Sequence, residues 1–259
     1  MRLARFSLNG SVGVGVVEDT VLHEIKGADV FSAAKNGFAR TGRSLAFSSV
    51  RLLPPCCPSK IVAIGLNYKA HAAEFNKPLP EEPLLFLKPS TSVIGHGGEI
   101  VYPSHMSRRV DFEAELALVI ACTAKDISRD EAQGHIFGYT CFNDVTARDL
   151  QGKDIQYTRA KGFDTFSPIG PWIETSLNPL DIRIESYLNG EKKQDSCTRD
   201  MIFDVFFLVS FVSRVMTLLP GDVIATGTPS GVGRMKPGDT IEIRVHGIGS
   251  LVNTVVAGP

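Results

Sequence analysis

Apolar and polar positions alternate along residues 2–8, 11–17 and 20–25, the period-two signature of half-buried strands. Asn9–Gly10 separates the first two as a two-residue hairpin turn. A short helix is predicted over 29–36. The segment LLPPCCPSK (52–60) is proline-rich and uncharged before Lys60, which predicts an extended linker and a domain boundary at residue 57. A small N-terminal α+β domain (1–57) would then precede a larger domain (58–259). The apolar run 61–66 reads as a buried strand, 67–75 as a short helix, and NKPLPEEP (76–83) as a loop that cannot continue it. After residue 84 the pattern is strand-rich, with turns at HGGE, NPLD, NGE and KPGD, and alternation over 182–188 and 239–245 predicts two of those strands. The one long helix is predicted over 200–217, capped by Asp200 and ended before Pro220–Gly221. The fold class is α+β with β dominant.

One stretch departs from ordinary alternation. In VDFEAELALVI (110–120), Phe112, Ala114, Leu116 and Leu118 share one face of a strand, and Asp111, Glu113 and Glu115 share the other. A strand running on into ALVI is expected to be central and buried. Glutamates on such a strand repel unless compensated, and a divalent cation is the usual compensation. Asp144, after the apolar run 136–139, could supply a third oxygen. Oxygen-only ligands suit Mg²⁺, Mn²⁺ or Ca²⁺ rather than zinc. The alternative is a solvated edge strand with its charges in water.

Other chemistry clusters in short motifs. His71 and Glu74 are three apart on the predicted short helix and share a face, so the carboxylate could orient the imidazole as a base; a surface pair is the alternative. If a helical turn follows Asp144, then Arg148 and Gln151 point the same way, and Arg148 could grip a substrate carboxylate or form a structural salt bridge. Lys161, among apolar and small residues in AKGFDTFSP, could neutralise an enolate or carboxylate oxygen, or be an ordinary surface lysine. TGTPSGVG (226–233) offers N–H and hydroxyl groups to anions but lacks the GK[ST] ending of a phosphate loop. Ser230 has no G-x-S-x-G context. His23, His96, His105, His135 and His246 have no ligand-like spacing and are read as structural.

Composition narrows the class. The net charge of −1 in 259 residues, with scattered basic residues, gives no reason to expect nucleic acid or an anionic membrane as partner. Five cysteines without CxxC spacing point to free thiols in a reducing cytoplasm. No secretory signal or membrane span is expected, because 201–219 is interrupted by Asp204 and Arg214.

Six segments occur in one order: GLNYKAHAAE (65–74), FLKPSTSVIG (86–95), DFEAELALVI (111–120), GYTCFNDVTARDLQ (138–151), RAKGFDTFSPIGPWI (159–173) and GDVIATGTPSGVG (221–233). In this the chain resembles the fumarylacetoacetate hydrolase family, above all its short acylpyruvate hydrolase, oxaloacetate decarboxylase and hydroxyheptadienedioate isomerase members. The resemblance implies a mixed β-roll with a small N-terminal domain, and 58–259 as the catalytic, metal-binding part. It implies Glu113, Glu115 and Asp144 as ligands of Mg²⁺ or Mn²⁺, with Ca²⁺ able to replace them in crystals. It implies a catalytic His71–Glu74 dyad, Lys161 as a functional lysine, substrate contact at Thr228 beside Gly227, a lid around 69–82 that orders over ligand, and a homodimer. The expected activity is hydrolysis or decarboxylation of a small 2-oxo or 1,3-dicarbonyl acid through a metal-bound enolate. Isomerisation of a dienedioate or oxaloacetate tautomerisation is the alternative, and a non-catalytic metabolite-binding protein a third reading.

Overall fold

The hairpin forms where Asn9–Gly10 places it: both residues adopt positive φ, 51° and 82°, and Arg2–Leu8 pairs antiparallel with Ser11–Glu18 from Arg2↔Val17 to Leu8↔Ser11. The computed structural model describes residues 1–258. Val21–Ile25 and Arg40–Ala46 extend this hairpin, and a capping box between Asp29 and Ser32 starts the helix Val30–Lys35. These strands continue into one twelve-stranded sheet, because Arg2–Leu8 also pairs with Ser167–Glu174. Beyond that junction lie Ile136–Asn143, Ala114–Ile120, Val223–Ala225, Ile61–Gly65 and the edge strand Leu84–Lys88. A five-stranded sheet (Glu191–Cys197, Arg183–Leu188, Thr240–Val245, Gly249–Ala257, Glu99–Tyr102) and a three-stranded sheet complete the β-rich fold.

Ala114–Ile120 is buried at every residue. Leu116, Leu118 and Ile120 enter the main core, and Ala117 and Val119 enter a second cluster with Leu3, Ile61 and Phe142. Burial on both faces explains the uninterrupted apolar run. The expected single strand over 110–120 is, however, two. Val110–Phe112 pairs with Thr146–Ala147 and Gly233–Met235, Ala114–Ile120 lies in the large sheet, and Glu113 between them leaves the ladder. Its N–H goes to Asn143 Oδ1 at 3.0 Å instead.

Two helix expectations are corrected. The long helix is Val205–Val215, and Asp204 caps it by accepting from Phe206 N and Phe207 N, both at 3.0 Å. Asp200 ends a 3₁₀ turn, and Met201 beyond it is bridged to Tyr68, which keeps the chain extended. No helical turn follows Asp144 directly either: Thr146 and Ala147 pair with Asp111 and Val110, and the helix Arg148–Lys153 starts only after them. The apolar stretch Ser167–Ile173 is almost wholly buried because it is paired on both sides within the sheet, and so offers no apolar surface to a second copy. Among the described residues no helix is long and apolar enough to cross a membrane.

Asp222 fastens the proline-rich linker to the sheet. Its fully buried carboxylate accepts from Ser59 Oγ (2.6 Å), Ser59 N (3.1 Å), Lys60 N (3.2 Å) and Leu219 N (2.8 Å), and pairs with Lys60 Nζ. Burial pushes its pKa up, but these donors outweigh burial and hold it below the ordinary aspartate value. A group with a depressed folded-state pKa stabilises the fold above its unfolded pKa, about 3.9, and loses that contribution as pH falls through the folded value. Asp222→Ala should therefore cost about 3 kcal/mol near neutrality, with buried donors left unpaired. In urea melts the difference from wild type should shrink below about pH 4. An equal difference at pH 3 and pH 7 would contradict this account.

Candidate active site

The break at Glu113 serves a cavity of about 460 Å³ whose floor includes Glu113, Glu115, Asp144, Arg148 and Lys161. The three carboxylates are buried, and one oxygen from each lies within 4.8 Å of the others. Asp144 reaches them from the turn after Ile136–Asn143, held by its N–H on Glu113 O at 2.9 Å. Its position comes from that turn, not from a helical face shared with Arg148.

Charge is matched closely around this floor. Lys161 Nζ donates to Glu113 Oε2 at 2.8 Å and to Asp144 Oδ2 at 2.5 Å. Arg148 donates to Asp111 Oδ2 (2.9 Å) and Gln151 Oε1 (2.5 Å), and pairs with Glu113. Burial pushes the Glu113 pKa up, but Lys161 and Arg148 outweigh it and hold the carboxyl well below its usual range. Burial lowers the Lys161 pKa, yet Asp144 and Glu113 reverse this and the net displacement is upward. Among the described residues Glu115 has one hydrogen-bond donor, Gly227 N at 2.9 Å. Burial, followed by the charges of Asp144 and Glu113, drives its pKa well above the ordinary value.

A carboxylate so weakly compensated beside two others calls for a further positive charge, and an oxygen-only donor set fits a hard divalent cation. Gly227 is required here. It sits at φ 94°, and a Cβ would fall 2.8 Å from Asn67 Cβ and 3.1 Å from Ile64 O. Thr228 also lines the cavity; its hydroxyl donates to Ala114 O at 2.9 Å and accepts from Gln194 Nε2 at 2.8 Å.

The opposite wall carries the predicted dyad. The short helix is Lys69–Glu74, one turn shorter than the motif suggested because Tyr68 is extended and bridged to Met201. His71 Nδ1 lies 2.9 Å from Glu74 Oε2, and Glu74 Oε1 accepts from Gly231 N at 3.0 Å. The carboxylate thus fixes the ring and assigns the proton to Nδ1, leaving Nε2 as the free nitrogen of a residue that lines the cavity. Leu66, also on the wall, has φ 52° although it is not glycine, so the chain is strained where it enters this helix.

Lys88 was missed from sequence. Its fully buried ammonium donates to Asp144 Oδ1 at 2.5 Å and Val145 O at 3.3 Å. Burial lowers its pKa, only partly offset by Asp144. The apolar run LLFLK reads as a strand with a solvated lysine at its end; only the position of that lysine inside a matched motif hinted otherwise. Asp111, the second anchor of Arg148, was also passed over. Among the histidines read as structural, His246 pairs with Glu185 at 2.9 Å and His96 accepts from Val252 N at 3.2 Å. A wider surface recess of about 630 Å³ is lined by Asp181, Arg183, Cys197 and His246, and by none of the carboxylate cluster, Lys88, Arg148, Lys161 or the His71–Glu74 pair. Its charges neutralise one another, as in Arg183–Asp195 and Arg199–Asp181, so the chemistry belongs to the smaller cavity.

Known proteins share this arrangement of chain. Residues 60–256 match the fumarylacetoacetate (FAA) hydrolase C-terminal family, and residues 1–55 match the Rv2993c-like N-terminal family. The oxaloacetate tautomerase YisK of Bacillus subtilis is 40% identical over 80% of this chain and 74% of its own. The crystal structure of 2-hydroxyhepta-2,4-diene-1,7-dioate isomerase from Mycobacterium marinum superposes with a TM-score of 0.90 at 42% identity, covering 99% of this chain and 98% of that one. Maleylpyruvate hydrolase from Sphingobium sp. SYK-6, solved with manganese(II) and pyruvate, gives a TM-score of 0.82 at 31% identity with both chains fully covered.

Proposed function

The chain belongs to the fumarylacetoacetate hydrolase family, and from that premise we propose that it is a divalent-cation-dependent enzyme that moves a proton between the keto and enol forms of a small 2-oxo acid. The observation that carries this is the meeting, in one cavity, of the Glu113–Glu115–Asp144 cluster, the Lys161 ammonium and the Glu74-oriented His71. Mg²⁺ or Mn²⁺ on the three carboxylates would act as a Lewis acid towards the 2-oxo carboxylate end of the substrate. The remaining work falls to the chain. Arg148 and Lys161 give a substrate carboxylate a positive floor. Gln151 holds the Arg148 guanidinium in place. His71 Nε2 takes the proton from the carbon beside the keto group and returns it to oxygen or carbon, while Glu74 stabilises the charged ring.

The sequence reading put C–C hydrolysis and decarboxylation first. The relatives at 40% and 42% identity, named for tautomerisation and isomerisation, support proton transfer ahead of them. Hydrolysis stays as the second reading because the same His71 nitrogen could deprotonate water, and the manganese-bound neighbour at 31% is named as a hydrolase. With Mn²⁺ and oxaloacetate, the enol absorbance should relax well before pyruvate appears. Relaxation no faster than pyruvate release would favour decarboxylation. No effect on oxaloacetate, acetylpyruvate or a hydroxyheptadienedioate would overturn the reading. We keep a homodimer within this proposal, because the edge strand Leu84–Lys88 leaves Leu84 and Leu87 43% and 47% exposed. Light scattering should give twice the 28.1 kDa chain mass, and a monomer at micromolar concentration would remove the dimer.

A further inference from the structure

The cavity is ordered by charge from floor to rim. Its floor carries Lys161, which is buried, and Arg148, which is half-buried, both committed to carboxylates. Above them stand aromatic rings: Phe86 lies 5.1 Å from Lys161 Nζ, Phe75 lies 5.5 Å from the Arg148 guanidinium, and Tyr157 meets Phe86 edge-on at 5.5 Å. Lys77 also lines the cavity but is exposed, which puts it at the rim. Among the described residues it has no ion-pair or side-chain hydrogen-bond partner, unlike every other lysine or arginine on the wall.

Its backbone is nevertheless fixed. Asn76 takes the left-handed conformation at φ 52°, Lys77 N donates to Ala72 O at 2.9 Å, and Asn76 N donates to Ala73 O at 3.1 Å. These bonds form a Schellman turn closing the helix that carries His71 and Glu74. The backbone that carries the rim cation is therefore held in register with the dyad, across the aromatic rings from the carboxylate cluster and its paired cations.

The geometry points to Lys77 as a specificity-determining residue of this chain, one that receives the distal carboxylate of a 2-oxo acid that carries a second one. This rests on the 2-oxo acid reading of the same cavity. A monoacid of equal length would leave Lys77 unpaired; a diacid would be held at both ends, with its spacer against the rings.

The test uses two unreactive-chain probes of equal length, 2-oxoadipate and 2-oxohexanoate, titrated calorimetrically into the full-length, Mn²⁺-loaded protein. Lys77→Ala should weaken 2-oxoadipate about five-fold, as befits a partly exposed ion pair, and leave 2-oxohexanoate unchanged. Lys77→Arg should restore the difference, and added salt should erode it. Equal weakening of both acids, or of neither, would overturn the role of Lys77 while leaving the 2-oxo acid reading in place. Failure of the wild type to bind either acid would remove that reading and this inference together. Lys77 is exposed and belongs to none of the hydrophobic clusters, so the substitution leaves the fold intact for comparison.

Discussion

Glu113→Gln, Glu115→Gln should bind no Mn²⁺ and show no turnover above background. The double change keeps the volume of both side chains and removes two of the three charges in the buried cluster. The cationic side chains are the reason the effect should be total. With both glutamates neutral, Lys161, Lys88 and Arg148 face Asp144 and Asp111 alone, so the cavity turns net positive and repels a divalent ion. In the wild type, EDTA should abolish activity, and Mg²⁺ or Mn²⁺ should restore it. Mn²⁺ binding followed by electron paramagnetic resonance separates loss of the ion from loss of the reaction, and far-ultraviolet circular dichroism reports whether the variant folds. Undiminished turnover in a folded double variant would remove the cation from the mechanism.

His71→Ala should retain the cation and lose roughly 10²–10⁴-fold in enol–keto interconversion, the usual size of a general-base contribution. The ring touches none of the three carboxylates by hydrogen bond; its partner is Glu74, so removing it leaves the ligand set intact. Proton transfer and acylpyruvate hydrolysis both need a base at this position. Decarboxylation of oxaloacetate needs none, because the electrons that form the enol come from the departing carboxylate. The variant should therefore keep decarboxylation while losing the other two. Loss of all three together, with Mn²⁺ still bound, would assign His71 to substrate binding; survival of all three would exclude it from the chemistry.

Much of this site was legible from one irregularity. Acidic residues leading into a run as apolar as ALVI leave two physical readings, a buried and compensated strand or a solvated edge, and the structure buries Glu113 and Glu115, with Asp144 beside them. The break of the strand at Glu113 was not legible. It depends on Asn143, thirty residues away, accepting the N–H that a neighbouring strand would otherwise take. Lys88 was hidden for a related reason: a lysine at a strand end is ordinarily solvated, and only the fold brings Asp144 to its ammonium. The misplaced cap shows the same limit locally. Asp200 and Asp204 are equally good N-caps by residue type, and the bridge of Met201 to Tyr68 decides between them. The β-rich class, the hairpin at Asn9–Gly10 and the His71–Glu74 pairing needed only neighbouring residues, and these were read correctly.

The strand Ala114–Ile120, enclosed by core on both faces, would also tie a cation bound at the carboxylate cluster to the stability of the whole molecule. One proposed ligand, Glu115, lies within this segment and another, Glu113, immediately precedes it, and the segment cannot open without breaching both hydrophobic clusters. The ion should then leave by global unfolding or through the cavity mouth, not by local fraying. Ligand that binds only the native state raises the free energy of unfolding, by about 2.7 kcal/mol at a hundred-fold excess over its Kd. The melting temperature thus becomes a titration of the site: a set of divalent ions could be ranked by thermal shift alone, before any substrate is known.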